Sequence, residues 1–486
     1  MKRMLAGLAI ALCVLIAVLV LRTLQFVPPE RGEHAPLAAV EWSSERLAEG
    51  LAAAIRIPTI SYADPEAVDQ QTFDDFHRFL QQRFPRVFTQ LAARRFGNTL
   101  MLHWPGQRAQ AKPVMLIAHQ DVVPVIPGTE ADWRHPPFGG TRADGYIWGR
   151  GALDDKASLM GILEATERLL GEGFVPPRDI YLGFGADEEV GGEGAKAMAN
   201  WLAERGVSLA FLLDEGGAIA KGMLPGVDAP LALIGPAEKG FLSLEFSAAG
   251  SGGHSSMPPP QTAAGIVAAA VARLEANPLP ATLDYTVDFM RYLGDAIPFY
   301  QRLMFANTWL FGPVLEQQMA KQPAVNAGLR TTTAVTMLQG SVQDNVLPIK
   351  ASAVVNFRIL PGDSVESVIE AVTAIVDDPR VSIRPYGGFG SNPSKVASPE
   401  SAGFRVLAEL VSQIAPGAIV APRLVIAATD ARHFEAVAEN SYRFVGFEIG
   451  PEEMAGIHGT NERVSESSYV QAVNIYYHLL RRAGEL

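Results

Sequence analysis

Several histidines and acids close apolar runs in this chain, and their types suit metal chemistry. His119 and Asp121 end VMLIAHQD, Glu188 and Glu189 end IYLGFGADEE, and Asp214 ends LAFLLDEG. Asp154 sits in the glycine-rich loop GRGALDDK, and His458 in GIHGTNE. Imidazole and carboxylate donors without a thiolate fit a catalytic zinc site that keeps one position open. Two histidines cannot saturate two zinc ions, so one carboxylate is expected to bridge a pair about 3.5 to 4 Å apart. Such a pair acidifies a bridging water and polarises a scissile carbonyl. Any single acid after a strand is as readily a helix cap; their joint occurrence in order argues for a site.

These residues need elements that gather them. Val114 to Ala118, Asp179 to Ala186 and Leu209 to Leu213 read as buried strands, alternating with helical patterns over Lys156 to Leu170 and Ala195 to Glu204. Strand-then-helix alternation argues for an α/β fold, a mainly parallel sheet with helices on both faces. The ends of its strands share one edge, where open α/β folds place their sites. Tyr442 to Ile449 is expected as one more strand, bringing His458 to that edge, and Ser465 to Arg481 as a closing helix.

The pattern changes after Ala237. Gly240 to Ala248, Thr331 to Leu338 and Lys350 to Leu360 alternate as in an open sheet with one wet face, and Thr262 to Leu274 is helical. An aromatic stretch from Tyr285 to Leu315 lies between them. It reads as helical core, with an apolar groove for a long acyl chain as the functional alternative. The expected organisation is therefore residues 41–236 and 359–486 as two parts of one catalytic domain, interrupted by an inserted α+β domain at 237–358.

At the N-terminus, Lys2 and Arg3 precede an apolar run from Met4 to Leu21. A span of about 20 such residues crosses a bilayer, and no small-x-small cleavage site follows. Residues 1–25 read as an uncleaved signal anchor, and 26–40 as a tether. The early cations then place the catalytic part outside the cytoplasm; secretion after cleavage is the alternative. Cys13 is the only cysteine, which excludes an intrachain disulfide and a cysteine-ligated zinc. Forty Lys and Arg against 52 Asp and Glu leave a net charge of −12, which argues against nucleic acid as a partner.

The segments AHQDVVP, WGRGALDDK, ADEEVGG, LLDEGG and GIHGTNE together resemble the metal motifs of the M-twenty family of metallopeptidases. The family's catalytic domain is of the di-zinc aminopeptidase and carboxypeptidase type, with an inserted lid and dimerisation domain. The resemblance implies two Zn²⁺ ions, with Co²⁺ or Mn²⁺ as substitutes. One would be held by His119, Asp154 and Asp214, the other by Asp154, Glu189 and His458, with Asp154 bridging. It makes Glu188 the general base and acid, and Asp121 the carboxylate that fixes the His119 tautomer. It also implies a cis peptide after Asp154.

In the inserted domain, His254 in SGGHSS matches the histidine that stabilises the oxyanion, delivered by the partner subunit in dimeric members. Asn345 in DNVLP and Arg358 in VVNFR match positions that hold the substrate's free carboxylate. TDARHF (Asp430, Arg432, His433) matches a loop on the substrate side, although Ala427 and Ala428 replace the usual glycines. RTTTAVTMLQGSVQDNVLP and NFRILPGDS are most similar to the carboxypeptidase S branch, which includes N-fatty-acyl-amino-acid hydrolases. The implied activity is hydrolysis of an amide bond beside a free carboxylate, in a small peptide or N-acyl amino acid. A deacylase or desuccinylase of one metabolite, and a metal-free binding protein of the same fold, are the alternatives; intact Glu188 and ligands speak against the second.

Overall fold

The computed structural model describes all residues except 1, 30–36, 38–39, 109 and 225, and gives no side-chain surroundings for 388 and 389. Most of the expected tether lies outside the described residues. The chain forms two compact units: Met1–Val27 with Ala237–Val396 and Leu424–Ala428, and Pro28–Pro236 with Ala397–Arg423 and Thr429–Leu486.

The N-terminal helix α1 (Lys2–Gln25) belongs to the first unit. The second unit begins with α2 (Ser44–Ile55), which is capped by the Ser43 side chain and buries Leu47, Leu51, Ala54 and Ile55 on one face. Its sheet uses β1 (Ala92–Phe96), β2 (Thr99–Trp104), β3 (Val114–His119), β4 (Ile180–Gly185) and β5 (Phe211–Asp214). The strand order is β1-β2-β4-β3-β5, completed by Ser441–Arg443. β3 runs parallel to β4 and β5, and Ser441–Arg443 parallel to β5; β1 and β2 are antiparallel additions at one side. Every residue of β3, β4 and β5 is buried, as strands covered on both faces must be. The covering helices include α3 (Lys156–Gly171), α4 (Glu193–Glu204) and the closing helix Glu466–Arg481.

The expected strand from Tyr442 to Ile449 is two short strands. Ser441–Arg443 pairs with β5, whereas Glu448–Ile449 joins a separate sheet through Ile219–Ala220. The break falls where the Arg443 carbonyl and amide bond Gly235 and the Phe444 amide turns to the Asp214 carbonyl.

The first unit contains the sheet β6 (Gly240–Ala249), β7 (Thr332–Gln339), β8 (Lys350–Ile359) and β9 (Ser382–Ser391), antiparallel throughout in the order β7-β8-β6-β9. β6 alternates buried and half-buried residues. Its buried face, with Leu242, Leu244 and Phe246, packs with Val355 and Phe357 against Ile266 and Val267 of the helix Ala263–Ala276 and Val368 and Val372 of Val365–Val376. Because β9 pairs with β6, this unit runs on to Val396, beyond residue 358. The aromatic stretch is three helices, Asp284–Leu293, Phe299–Ala306 and Thr308–Met319. Phe289, Tyr292 and Phe305 are core, but Phe299, Tyr300 and Trp309 are exposed.

Candidate metal centre

β3 delivers His119 at its C-terminal end, almost wholly buried. The ring's Nδ1 stands 2.9 Å from the Asp121 backbone carbonyl and 3.5 Å from its Oδ1. Nδ1 therefore carries the proton, and Nε2 is left as a donor atom for a metal. Nε2 faces two acids, Asp154 Oδ1 at 2.9 Å and Glu215 Oε1 at 3.4 Å. The other Asp154 oxygen, Oδ2, lies 3.1 Å from His458 Nε2, which is also 3.1 Å from Glu189 Oε2. One carboxylate thus offers an oxygen to each histidine, the disposition a bridging ligand requires. Atoms of His119, Asp154 and Glu189, and of His119, Asp155 and Glu215, converge to within 4.8 Å of one another. The Asp154–Asp155 peptide is cis.

The turn carrying Asp154 is fixed from the far end of the chain. Glu462 Oε1 accepts the backbone N–H groups of Leu153 and Asp154, while Oε2 accepts Arg150 Nη1 at 2.6 Å. Both side chains are buried. Asp155 points inward too, its Oδ2 accepting the His119 amide.

Asp121 has a second task beside its place at His119 Nδ1. Its carboxylate accepts the Ser61 hydroxyl at 2.7 Å and the backbone N–H groups of Glu188 and Glu189 at 3.3 and 3.2 Å. It pins the short helical turn Glu188–Val190 that presents the two glutamates. Asp214 lies at the end of β5, where Oδ1 accepts the Glu215 amide and Oδ2 the Ala431 amide at 2.7 Å. Glu215, unmarked in the sequence reading, is the acid of this pair that comes close to His119.

Electrostatics set these carboxylates apart. Burial pushes Glu188 well above the usual carboxylate range, and the nearby Asp430 adds to it. Burial likewise raises Glu215 and Asp430. Asp154 is held low despite its burial, because both histidines bond it. His458 is pushed up to about 10, chiefly by its bond to Asp154. Arg432 Nη1 comes within 4.0 Å of Glu188 Oε1, while its Nη2 donates to the Gly191 carbonyl. So many buried acids around two imidazoles form an oxygen and nitrogen donor set in need of cations, and one free of thiolates.

His254, Asn345 and Arg358 belong to the other unit. The two-residue strand Gly253–His254 pairs with Val346–Leu347, and the Ser255 amide donates to the Asn345 carbonyl, so His254 and Asn345 are neighbours. His254 is exposed, its Nδ1 accepting the Ser256 amide. Arg358 lies on β8 with its guanidinium over the Phe241 ring, 5.0 Å from the centroid.

Residues 115–482 match the model of Peptidase family M20/M25/M40. The chain belongs to this family. It is 37% identical to the N-fatty-acyl-amino acid synthase/hydrolase PM20D1 of Xenopus tropicalis, over 99% of this chain and 95% of that protein. It is 29% identical to carboxypeptidase S of Saccharomyces cerevisiae, over 90% and 84%. In fold it is similar to the metallo-carboxypeptidase Sso-CP2 of Sulfolobus solfataricus, with a TM-score of 0.63 at 16% identity, covering 90% of this chain and 99% of that one. The protein is accordingly a metal-dependent hydrolase with an M20-type catalytic domain and an inserted domain.

Proposed function

We propose that this chain hydrolyses the amide bond of N-acyl amino acids and small peptides next to their free carboxylate, at a site for two divalent metals, zinc by preference. The observation that carries the reading is Asp154, one oxygen toward His119 and the other toward His458. His119 with Glu215 would complete one metal position, and Glu189 with His458 the other. Asp214, expected as a ligand, then serves to hold the Glu215 and Ala431 backbone. The metals, when bound, would polarise the scissile carbonyl and acidify a coordinated water.

Glu188 takes the proton of the attacking water and returns it to the leaving nitrogen; burial raises its carboxyl above the ordinary range, which favours uptake of that proton. Asp121 holds Glu188 in place through the backbone. Arg432 limits the rise of Asp430, and its Nη1 lies 4.0 Å from Glu188 Oε1. By resemblance, His254 donates to the oxyanion, and Arg358 with Asn345 grips the substrate carboxylate, for which a guanidinium fork is suited. A homodimer through the inserted domain is the arrangement in which His254 serves the partner subunit.

The names of the more similar relatives favour N-acyl amino acids as substrates. The test is a hydrolysis screen of dipeptides and short- and long-chain N-acyl amino acids, with and without chelator. Release of free amino acid that chelation abolishes and zinc restores is expected. Glu188→Gln should retain metal while turnover falls by about 10² to 10⁴; wild-type turnover in that variant would refute the assigned base.

We also read α1 as an uncleaved signal anchor. It is long and apolar enough to cross a membrane, with a mean hydropathy of 3.1 in its best window. It holds the catalytic part outside the cytoplasm.

A further inference from the structure

Only part of the aromatic stretch is core. Phe299, Tyr300, Trp309, Leu310 and Val314 are between 42% and 62% exposed, an unusual concentration of large apolar side chains in two consecutive helices. Thr308 to Leu315 carries no charged residue. Left in water, such a surface favours aggregation, so something of low polarity is expected to cover it.

The same helices hold α1. Asn307, between Phe299–Ala306 and Thr308–Met319, is fully buried and donates from Nδ2 to the Leu19 carbonyl at 3.2 Å. Its Oδ1 accepts the Trp309 indole N–H at 3.3 Å. Arg22 Nε donates to the Ala306 carbonyl at 3.1 Å, at the C-terminal end of the first of these helices. Phe26, just past α1, packs with Phe305, Ala306 and Leu315. The rest of α1 is exposed, including Met4, Leu5, Leu8 and Ile10.

At 1.5 Å per residue α1 is about 36 Å long, enough to cross a hydrocarbon core of about 30 Å with its ends in the headgroups. The contacts to Asn307 and Ala306 come from its last two turns, at the depth where the chain leaves the hydrocarbon. Trp and Tyr, apolar bodies with a polar tip, favour that depth.

We propose that the exposed aromatic face of Phe299–Ala306 and Thr308–Met319 is seated in the headgroup region of the bilayer that α1 spans, making the inserted unit a second membrane contact. The occupant is a lipid surface because the face is continuous with an apolar helix that has no other cover among the described residues. The proposal rests on the anchor reading of α1. It gives the inserted unit direct access to amphiphiles with long acyl chains dissolved in the membrane.

The native Cys13, in α1, and its absence elsewhere make the test clean. Full-length protein in phosphatidylcholine vesicles would carry an environment-sensitive fluorophore at one of three places. These are native Cys13, or Tyr300→Cys or Val314→Cys in a Cys13→Ser background. Quenching by lipids with a nitroxide near the headgroup should exceed quenching by aqueous iodide several-fold at residues 300 and 314. Iodide quenching there, with the Cys13 label still shielded from iodide, overturns the proposal and leaves the anchor reading intact. Iodide quenching at all three sites overturns both. Protection from both quenchers, with cross-linking through residue 300 to a second chain, makes the face an interface between copies and also overturns the proposal.

Discussion

Glu215 and Asp214 are adjacent acids at one strand end, and their roles separate by direction alone. Asp214 accepts two backbone N–H groups, whereas Glu215 reaches within 3.4 Å of His119 Nε2. Glu215→Ala should lower bound metal from about two ions per chain toward one, measured by elemental analysis after gel filtration. Asp214→Asn should keep the stoichiometry at saturating metal while affinity weakens by about 10- to 100-fold, the usual cost of losing an outer support. The reverse pattern would return the ligand role to Asp214. His433 provides a pH prediction away from the ligands. Burial pushes its ring down to about 4, with Arg432 adding to this, and its Nε2 meets the Gly191 carbonyl at 3.0 Å. The unfolded ring titrates near 6.5. Between these values the unfolded chain binds the extra proton, so the ring's contribution is complete above about pH 6.5 and is lost as pH falls toward 4. His433→Gln should flatten the decline of urea midpoint over that interval; an unchanged slope would discount the buried neutral ring.

The elements that place the site were legible where their pattern was one-sided or long. The closing helix and α3 were legible by their length and β6 by its alternation. The histidine and acid motifs at the ends of β3, β4 and β5 were legible as residues because they follow apolar runs. The phase of β5 was not: a strand buried on both faces has no alternation, so the sequence could not show which acid at its end turns toward His119. Tyr442 to Ile449 misled for a related reason, since a mainly apolar run does not reveal that its halves pair with different sheets. Glu462 was hidden because its work is done on a turn 308 residues away. That turn can be tested. Glu462→Gln leaves Arg150 buried without its counter-charge, which should cost about 3 to 5 kcal/mol of stability by denaturant titration and loosen metal retention together. A paired Arg150→Met, Glu462→Leu replacement should recover much of the stability but not the metal affinity. Metal affinity equal to wild type in that double variant would show that Glu462 does not support the Asp154 turn.

At the scale of the whole chain, α1 is more than a leader in sequence. Its last turns bond Ala306 and Asn307, and Phe26 just beyond it packs on Phe305, so removing residues 2–26 uncovers an apolar cluster and a buried amide. The truncated protein should bind a hydrophobic dye more strongly and associate at micromolar concentration, seen by light scattering; a monodisperse product with unchanged dye binding would mean that α1 covers nothing of consequence. The net charge of −12 sets a second condition at this scale. A carboxylate-bearing substrate would approach an acidic molecule without a favourable overall field, so its capture would depend on local cations. Finally, Arg150 and Glu462 are separated by 312 positions, and His458 meets Asp154 from the same late segment. During synthesis, the early donors emerge long before their partners exist. A nascent chain, or one clipped near its C-terminus, therefore lacks these partners however well its first part has folded, and activity certifies that translation was completed.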